Sequence, residues 1–415
     1  MQTADPATRT GSPRRRWAVL APAAVLVLVA LCLRGPFAAV GPVLGELSDE
    51  LSVPRAALAA LTALPLVCFG LVSPVAPALA ARLGVHRAVL AGVAALAAGI
   101  ALRLAGTWGL YAGTVLLTAG IAVANVLVPA AARAEYGDRS AAAVGAAVAS
   151  MGLSASLGAG LAQPLATATG SALTGLTLWL VPVLLAAAAM ALLAARRPVR
   201  ASAPAARLPV VAVLRDRVAL AVTLFFGLQS LAFYTMLSWL ADVLEDEAGV
   251  SPVTAGGLVA AAAALGVPCA LLVPPLASRR AGQRAWVVGV GVPSTTAITG
   301  LAVAPDAAPA AWALLWGLGT GAAFPLAMTL VLLRTRDVGQ TGRLSAAAQS
   351  AGYLLAATGP LAVGLLHDAT GGWRPGLAVL LVLQAAQFAA GLAAARPRLV
   401  TEPPRVAAGP ADTRR

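Results

Sequence analysis

The chain of 415 residues has no lysine, two histidines, three cysteines and only 11% charged residues. Soluble chains carry about 25% charge. Two or three soluble domains would fit this length, but so few charges cannot clothe them. Cys32, Cys68 and Cys269 each lie in a different apolar stretch, with no CxxC pair. That excludes a disulfide scaffold. His86 sits in a loop and His367 near the end of an apolar stretch, there is no HExxH, and no pair of acids falls inside an apolar run. The groups an embedded enzyme needs are therefore missing, and no metal or cofactor is expected. All 29 basic residues are arginine and the net charge is +13, yet they fall in small clusters between apolar segments. A nucleic-acid surface would gather them into one patch or stripe, so no nucleic-acid partner is expected.

What the chain has is apolar length. Sixty per cent of its residues are hydrophobic, and its mean hydropathy is +0.86. Stretches near 20 residues, the length that crosses a bilayer, occur twelve times. They lie at about 18–42, 57–79, 88–106, 109–131, 141–165, 176–195, 218–241, 254–277, 285–303, 310–333, 344–366 and 375–395. They are expected to be helices, because a lone strand in hydrocarbon leaves its backbone unpaired. With the N-terminus inside, 25 arginines fall on the inner side and three, Arg55, Arg103 and Arg374, on the outer. This bias places both termini in the cytoplasm and the chain in the inner (plasma) membrane. Arg14–Arg16 before the first apolar run resembles a signal peptide, but that run is too long for one and eleven more follow. The expected organisation is a tail 1–17, six spans within 18–195, an Arg- and Pro-rich linker 196–217, six spans within 218–395, and a tail 396–415.

The halves repeat at an offset of 197 residues. Leu47-Ser-Asp49-Glu50 matches Leu244-Glu-Asp246-Glu247, Leu79-Ala80-x-Arg82 matches Leu276-Ala277-x-Arg279, and Arg87-Ala88 matches Arg284-Ala285. Alanine matches are cheap here; charged ones at fixed spacing are not. Both repeats start on the same side, which makes them parallel repeats of six spans.

The loop after the second span, Pro77-Ala-Leu79-Ala80-Ala81-Arg82-Leu83-Gly84-Val85-His86-Arg87, resembles the cytoplasmic loop motif of the major facilitator superfamily. Arg82, Gly84 and Arg87 match it, while Pro77 and Ala81 stand where the motif has a glycine and an acid. Leu33-Arg34-Gly35-Pro36, with Val40-Gly41-Pro42, is similar to the first span of the cyanate permease and nitroimidazole transporter branch. Similar stretches are Leu64-Pro65 to Gly70, Gly120 through Asn125 to Pro129, and Gly352-Tyr353 through Gly359-Pro360 with His367-Asp368. The resemblance implies an all-α membrane protein, twelve helices in two pseudo-symmetric six-helix bundles, that rocks about a midplane site. It also implies a gating loop at Arg82, Gly84 and Arg87, with Arg279 and Arg284 as repeat counterparts.

Arg34 is the one charge well inside a span, 17 residues past Trp17, or about 25 Å along a helix. All 16 acids lie in loops, tails or span ends. A guanidinium at membrane depth costs at least about 2.5–3.5 kcal/mol, so a partner is expected: an anionic or strongly dipolar solute held by its fork of donors. The alternative is that Arg34 snorkels or binds carbonyls in the wall. Arg103, near an outer span end, is expected to snorkel. In the superfamily spans 1, 4, 7 and 10 line the cavity, with 2, 5, 8 and 11 beside them. By that resemblance Asn125, Gln229, Tyr234, Gln349 and Tyr353 are binding candidates, each weighed evenly against plain packing. The repeat sets Leu231 opposite Arg34, so the halves are not equivalent.

The expected function is transport of a small anion or polar compound, cyanate-like by resemblance. Efflux of a drug such as a nitroimidazole is the rival, and a membrane receptor that binds without transport is the rival from another class. A small-molecule substrate and the lipid bilayer are the expected partners, and the chain is expected to act as a monomer. With no carboxylate at membrane depth, proton coupling would have to run through edge groups such as Asp242, His367 or Asp368. Facilitated diffusion and anion exchange stay open, as does direction.

Overall fold

In the computed structural model, residues 13–197 and 210–401 are described. The outer parts of both tails and most of the linker lie outside them. Eleven helices among the described residues are long and apolar enough to cross a bilayer, and the bent pair Leu64–Val72 and Val75–Leu83, at 52°, makes a twelfth. The spans are numbered here in chain order. Span 1 runs through helices Pro13–Leu31, Gly35–Ala38 and Leu44–Leu51; span 2 is Arg55–Val72 with Val75–Leu83; span 3 is Val85–Leu102; span 4 is Gly106–Tyr136. Span 5 is Ala141–Thr169, span 6 Ala172–Thr177 with Leu180–Ala195, span 7 Arg217–Ala248, and span 8 Pro252–Ala264 with Gly266–Ala277. Span 9 is Arg284–Val303, span 10 Pro309–Leu333, span 11 Val338–Thr370 and span 12 Arg374–Ala394. The side that holds the span 2–3, 4–5 and 10–11 junctions is called the tail side, and the opposite one the far side.

Side-chain caps set where several spans begin. The Asp216 carboxylate accepts from the Val218 and Ala219 N–H groups at 2.8 and 3.0 Å, opening span 7. Asp337 accepts from Gln340 N at 2.9 Å, opening span 11. Each satisfies donors a helix start leaves bare.

The charged repeat has a structural use. On the far side, Glu50 at the end of span 1 accepts from Ala172 N at 2.8 Å and from the Ser171 hydroxyl at 2.7 Å, docking span 1 on the start of span 6. Its repeat mate Glu247 and the neighbouring Asp246 do the same one half later. Asp246 accepts from Trp373 Nε1 at 2.8 Å, and Glu247 from Trp373 N at 3.4 Å, docking span 7 on the start of span 12.

Between the halves, contact lies at mid-depth and on the tail side. Spans 5 and 8 meet where Gly145 has no side chain: a Cβ there would sit 2.7 Å from the Ala270 carbonyl. Toward the far side a Cβ at Gly160 of span 5 or Gly256 of span 8 meets nothing within 4 Å. Arg133 of span 4 donates across the tail-side seam to the Thr335 carbonyl at 2.6 Å and the Leu332 carbonyl at 2.7 Å. They lie at the end of span 10 and just past it, the end of a helix where a cation is favoured.

Prolines build two more crossings. Pro74 has no N–H for the Gly70 carbonyl four residues back, and the Ser350 hydroxyl of span 11 takes that carbonyl at 2.6 Å. Pro129 likewise frees the Asn125 carbonyl, toward which Gln349 Nε2 of span 11 points at 3.5 Å. Adjacent residues on one helix thus use carbonyls left open on two others.

Candidate substrate site

Span 1 is not one helix. It stops at Leu31 and resumes at Gly35, with Arg34 between them at φ −124°, ψ −34°. The continuous helix expected from hydropathy is therefore corrected. Pro36 removes the N–H that would bond the Cys32 carbonyl, and the helix breaks where that bond is lost. Its backbone still needs partners in an apolar setting. One comes from Ser154 of span 5, whose hydroxyl oxygen accepts from Gly35 N at 2.7 Å.

The break turns Arg34 into the seam between the halves. Its guanidinium carbon lies 5.4 Å from the centre of the Phe324 ring on span 10, a cation–π distance. It donates to the Tyr234 hydroxyl of span 7 and lies near the Tyr353 hydroxyl of span 11. No carboxylate among the described residues pairs with it. Arg34 keeps some exposure, and it lines a narrow cleft whose walls leave no space for a water molecule between them. The cleft has a polar end of Arg34, Asn125 and Tyr353 and an apolar wall of Leu33, Phe69, Ile121 and Met151.

Of the expected binding residues, Arg34, Asn125, Tyr234, Gln349 and Tyr353 come together. Asn125 Nδ2 donates to Gln349 Oε1 at 2.7 Å and to the Tyr353 hydroxyl at 3.3 Å. Gln349 Nε2 is held by Ser345 at 2.9 Å. All three side chains are buried, so their polar atoms are oriented by one another. The Tyr353 ring stands edge-on to Phe226 at 5.3 Å and tilted to Phe69 at 5.3 Å. Gln229 is different: it is buried, donates to Ser230 at its own shoulder, and does not line the cleft.

Arg103 overturns its expectation. It does not snorkel. It is 0% exposed and donates to the Pro36 carbonyl at 2.8 Å and, twice, to the Thr114 hydroxyl at 3.3 and 3.0 Å. Sequence position near a span end suggested easy escape to water; the bend of span 1 places an unpaired carbonyl within its reach instead.

The gating-loop residues stay on the surface. Arg82, Arg87, Arg279 and Arg284 are exposed, and Gly84 ends span 2 at φ +82°. The loop is tied within its own half, where Glu135 of span 4 lies 2.7 Å from His86 and also binds Arg197. Arg133 makes the cross-half contact instead. Sequence reading missed it because one arginine at a span end looks like any other; the signal was its place one turn beyond Pro129.

The sequence pattern described as Major Facilitator Superfamily matches residues 26–360. The chain is 34% identical over 389 residues to the uncharacterized transporter YycB of Bacillus subtilis (strain 168), covering 90% of this chain and 93% of that one. It is 34% identical over 373 residues to the 2-nitroimidazole transporter of Escherichia coli (strain K12), covering 89% and 94%. To the cyanate transport protein CynX of the same organism it is 27% identical over 356 residues, covering 84% and 90%. Among solved structures, a bacterial homologue of the iron transporter ferroportin in an outward-facing state superposes with a TM-score of 0.72 at 15% identity, over 90% of this chain and 99% of that one. The chain belongs to the major facilitator superfamily. It is a multi-pass membrane transporter of small solutes.

Proposed function

We propose that the solute is a small anion or a small, strongly dipolar compound, that Arg34 binds it, and that the two halves rock about this site. The observation that carries this is a guanidinium at the seam of the two halves whose neighbours are hydroxyls and a ring, with no carboxylate among the described residues to neutralise it. Such a charge favours an anionic or dipolar visitor. Asn125 and Tyr353 supply further polar contacts, and Tyr234, Phe324 and Tyr353 belong to the opposite half from Arg34. A solute bridging them would feel both halves and bias their movement. The relatives named for cyanate and for 2-nitroimidazole are compatible with this chemistry.

The tail side is the cytoplasmic side in this reading, supported by the arginine bias of the sequence, and the membrane is the inner one. The contacts then close the cytoplasmic end and leave the outer end apart. The transporter works as a monomer, since each chain carries both halves of its site.

The test is counterflow in proteoliposomes with labelled cyanate, and with 2-nitroimidazole as competitor. Exchange of cyanate, abolished in Arg34→Ala with the protein still folded, supports the reading. Normal exchange in Arg34→Ala refutes the binding role. Specific binding without any exchange would make the protein a receptor. A planar nitro compound is the second reading, favoured by the rings of Phe69, Phe324 and Tyr353 around the guanidinium, and it gains if 2-nitroimidazole exchanges while cyanate does not.

A further inference from the structure

We propose that Arg103 is a positioning residue for the substrate site: it holds the break in span 1 in the shape that delivers Arg34 to the cleft. The proposal rests on the reading of Arg34 as the binding group. Arg103 does not line the cleft, so it acts through the backbone of its neighbour.

The break creates a specific debt of hydrogen bonds. Past Pro36 the chain tightens, and Val40 N bonds the Phe37 carbonyl at 3.2 Å. The Pro36 carbonyl, which Val40 would have served in a regular helix, is left open. An unpaired carbonyl in an apolar interior is strongly unfavourable. Arg103 Nη1 fills it at 2.8 Å, two residues from Arg34. Its other face is fixed by the Thr114 hydroxyl, which gives its own proton to the Leu110 carbonyl at 2.7 Å. Arg103 donates both ways: one arm ends on the break and the other, through Thr114, on the Leu110 carbonyl.

A second partner acts from span 5. Ser154 takes the Gly35 N–H, so the peptide units on either side of Gly35 and Pro36 are held by two different helices. Packing closes the remaining freedom. A Cβ on Gly35 would lie 2.3 Å from the Trp179 ring, and one on Gly158 would lie 2.5 Å from the Gly35 carbonyl.

The other half lacks both features. Span 7 runs unbroken through Leu231, the mate of Arg34. At the mate of Arg103 stands Gly300, with the Trp312 ring packed where a side chain would go. Break and buried arginine occur together in one half and are absent together from the other. A helix-packing role alone would have no reason to follow the break.

The experiment uses Cys32, which is 0% exposed just before Arg34, as a reporter in a protein with Cys68→Ala and Cys269→Ala. N-ethylmaleimide labelling of Cys32 and the KM for cyanate counterflow are compared across Arg103→Met, Arg103→Lys and Ser154→Ala. Loss of the clamp should raise labelling and KM by about tenfold or more in Arg103→Met. Arg103→Lys, which keeps a donor, should recover part of both, and Ser154→Ala should move both in the same direction if Arg103→Met does not fold. Unchanged labelling overturns the proposal. Raised labelling with unchanged KM, where Arg34→Ala is itself disabling, also overturns it, because the break would then move without disturbing Arg34. Raised labelling and unchanged KM where Arg34→Ala is harmless leaves the clamp standing and refutes the binding role of Arg34 instead.

Discussion

Spans 1 and 7 descend from one pattern and do different things. Both end in an acidic turn that docks on the start of the last helix of their own half, through Glu50 in one and Asp246 with Glu247 in the other. Midway they part. Span 1 breaks at Arg34 and offers a charge, whereas span 7 stays helical from Arg217 to Ala248 and offers Leu231 and the Tyr234 hydroxyl. The ends of the repeat are under the demands of folding, which both halves share. In the proposed reading the middle answers to the solute, which would meet one charge and one set of aromatic and amide groups. A transporter built from two like halves can keep its frame symmetric and its site lopsided.

Moving the charge tests that division most severely. A protein with Arg34→Leu and Leu231→Arg keeps composition and net charge but places the guanidinium on an unbroken helix. Counterflow should remain lower by on the order of 100-fold, the size of a lost charge-assisted contact of roughly 3 kcal/mol. Restored counterflow would show that the break is dispensable.

The next effect concerns the seam. Arg133→Ala removes the grip on the end of span 10 and should disfavour the closed tail side by about 2–3 kcal/mol. Labelling of a Gly160→Cys reporter on the far side should then slow, since the far side would close more often. Unaltered labelling would mean that Gln349 and Ser350 hold the seam without it.

Smaller changes are expected at the shared frame. Glu50→Gln and Glu247→Gln should each cost about 0.5–1 kcal/mol, because both groups are partly or fully exposed and screened. Glu50, with more donors, should cost the more. The two losses should add in the double variant, being far apart, as thermal melts in detergent would show. A synergistic loss would mean that the halves do not fold as separate frames.

The smallest effect is one of pH. Burial pushes the Asp216 carboxyl upward, but the Thr401 hydroxyl, the Ala219, Thr401 and Val218 N–H groups outweigh it and hold the group below its ordinary value. A depressed carboxylate stabilises the fold above the unfolded pKa of about 3.9. That contribution is complete at neutral pH and fades as pH falls through the lower folded value. Asp216→Asn should thus melt slightly below the parent at pH 7 and level with it at strongly acid pH; a gap that widens on acidification would contradict the assignment.

Much of this was legible from one dimension. Apolar length located the spans, and the spacing of Glu50 and Glu247 the repeat. Arg34 stood out because a lone charge in a run of hydrophobic residues is costly enough to need a reason. At Gln229 a polar side chain at membrane depth has two outlets, a cavity or its own helix, and spacing does not choose between them. Arg103 misled because closeness to a span end says where water is, not whether a nearer carbonyl is open.

Composition and periodicity determined that this chain is a doubled six-helix membrane protein with one charge well inside a span, because the bilayer punishes every exposed backbone group and every stray ion at the level of single segments. Only the folded arrangement decided which open carbonyl each donor would meet. Pro36, Pro74 and Pro129 are visible in any reading of the chain, but that Arg103, Ser350 and Gln349 answer them depends on helices more than 60 residues away in sequence being brought within 3.5 Å. Hydrogen bonds act over a single atomic contact, and sequence distance carries no information about which contacts close.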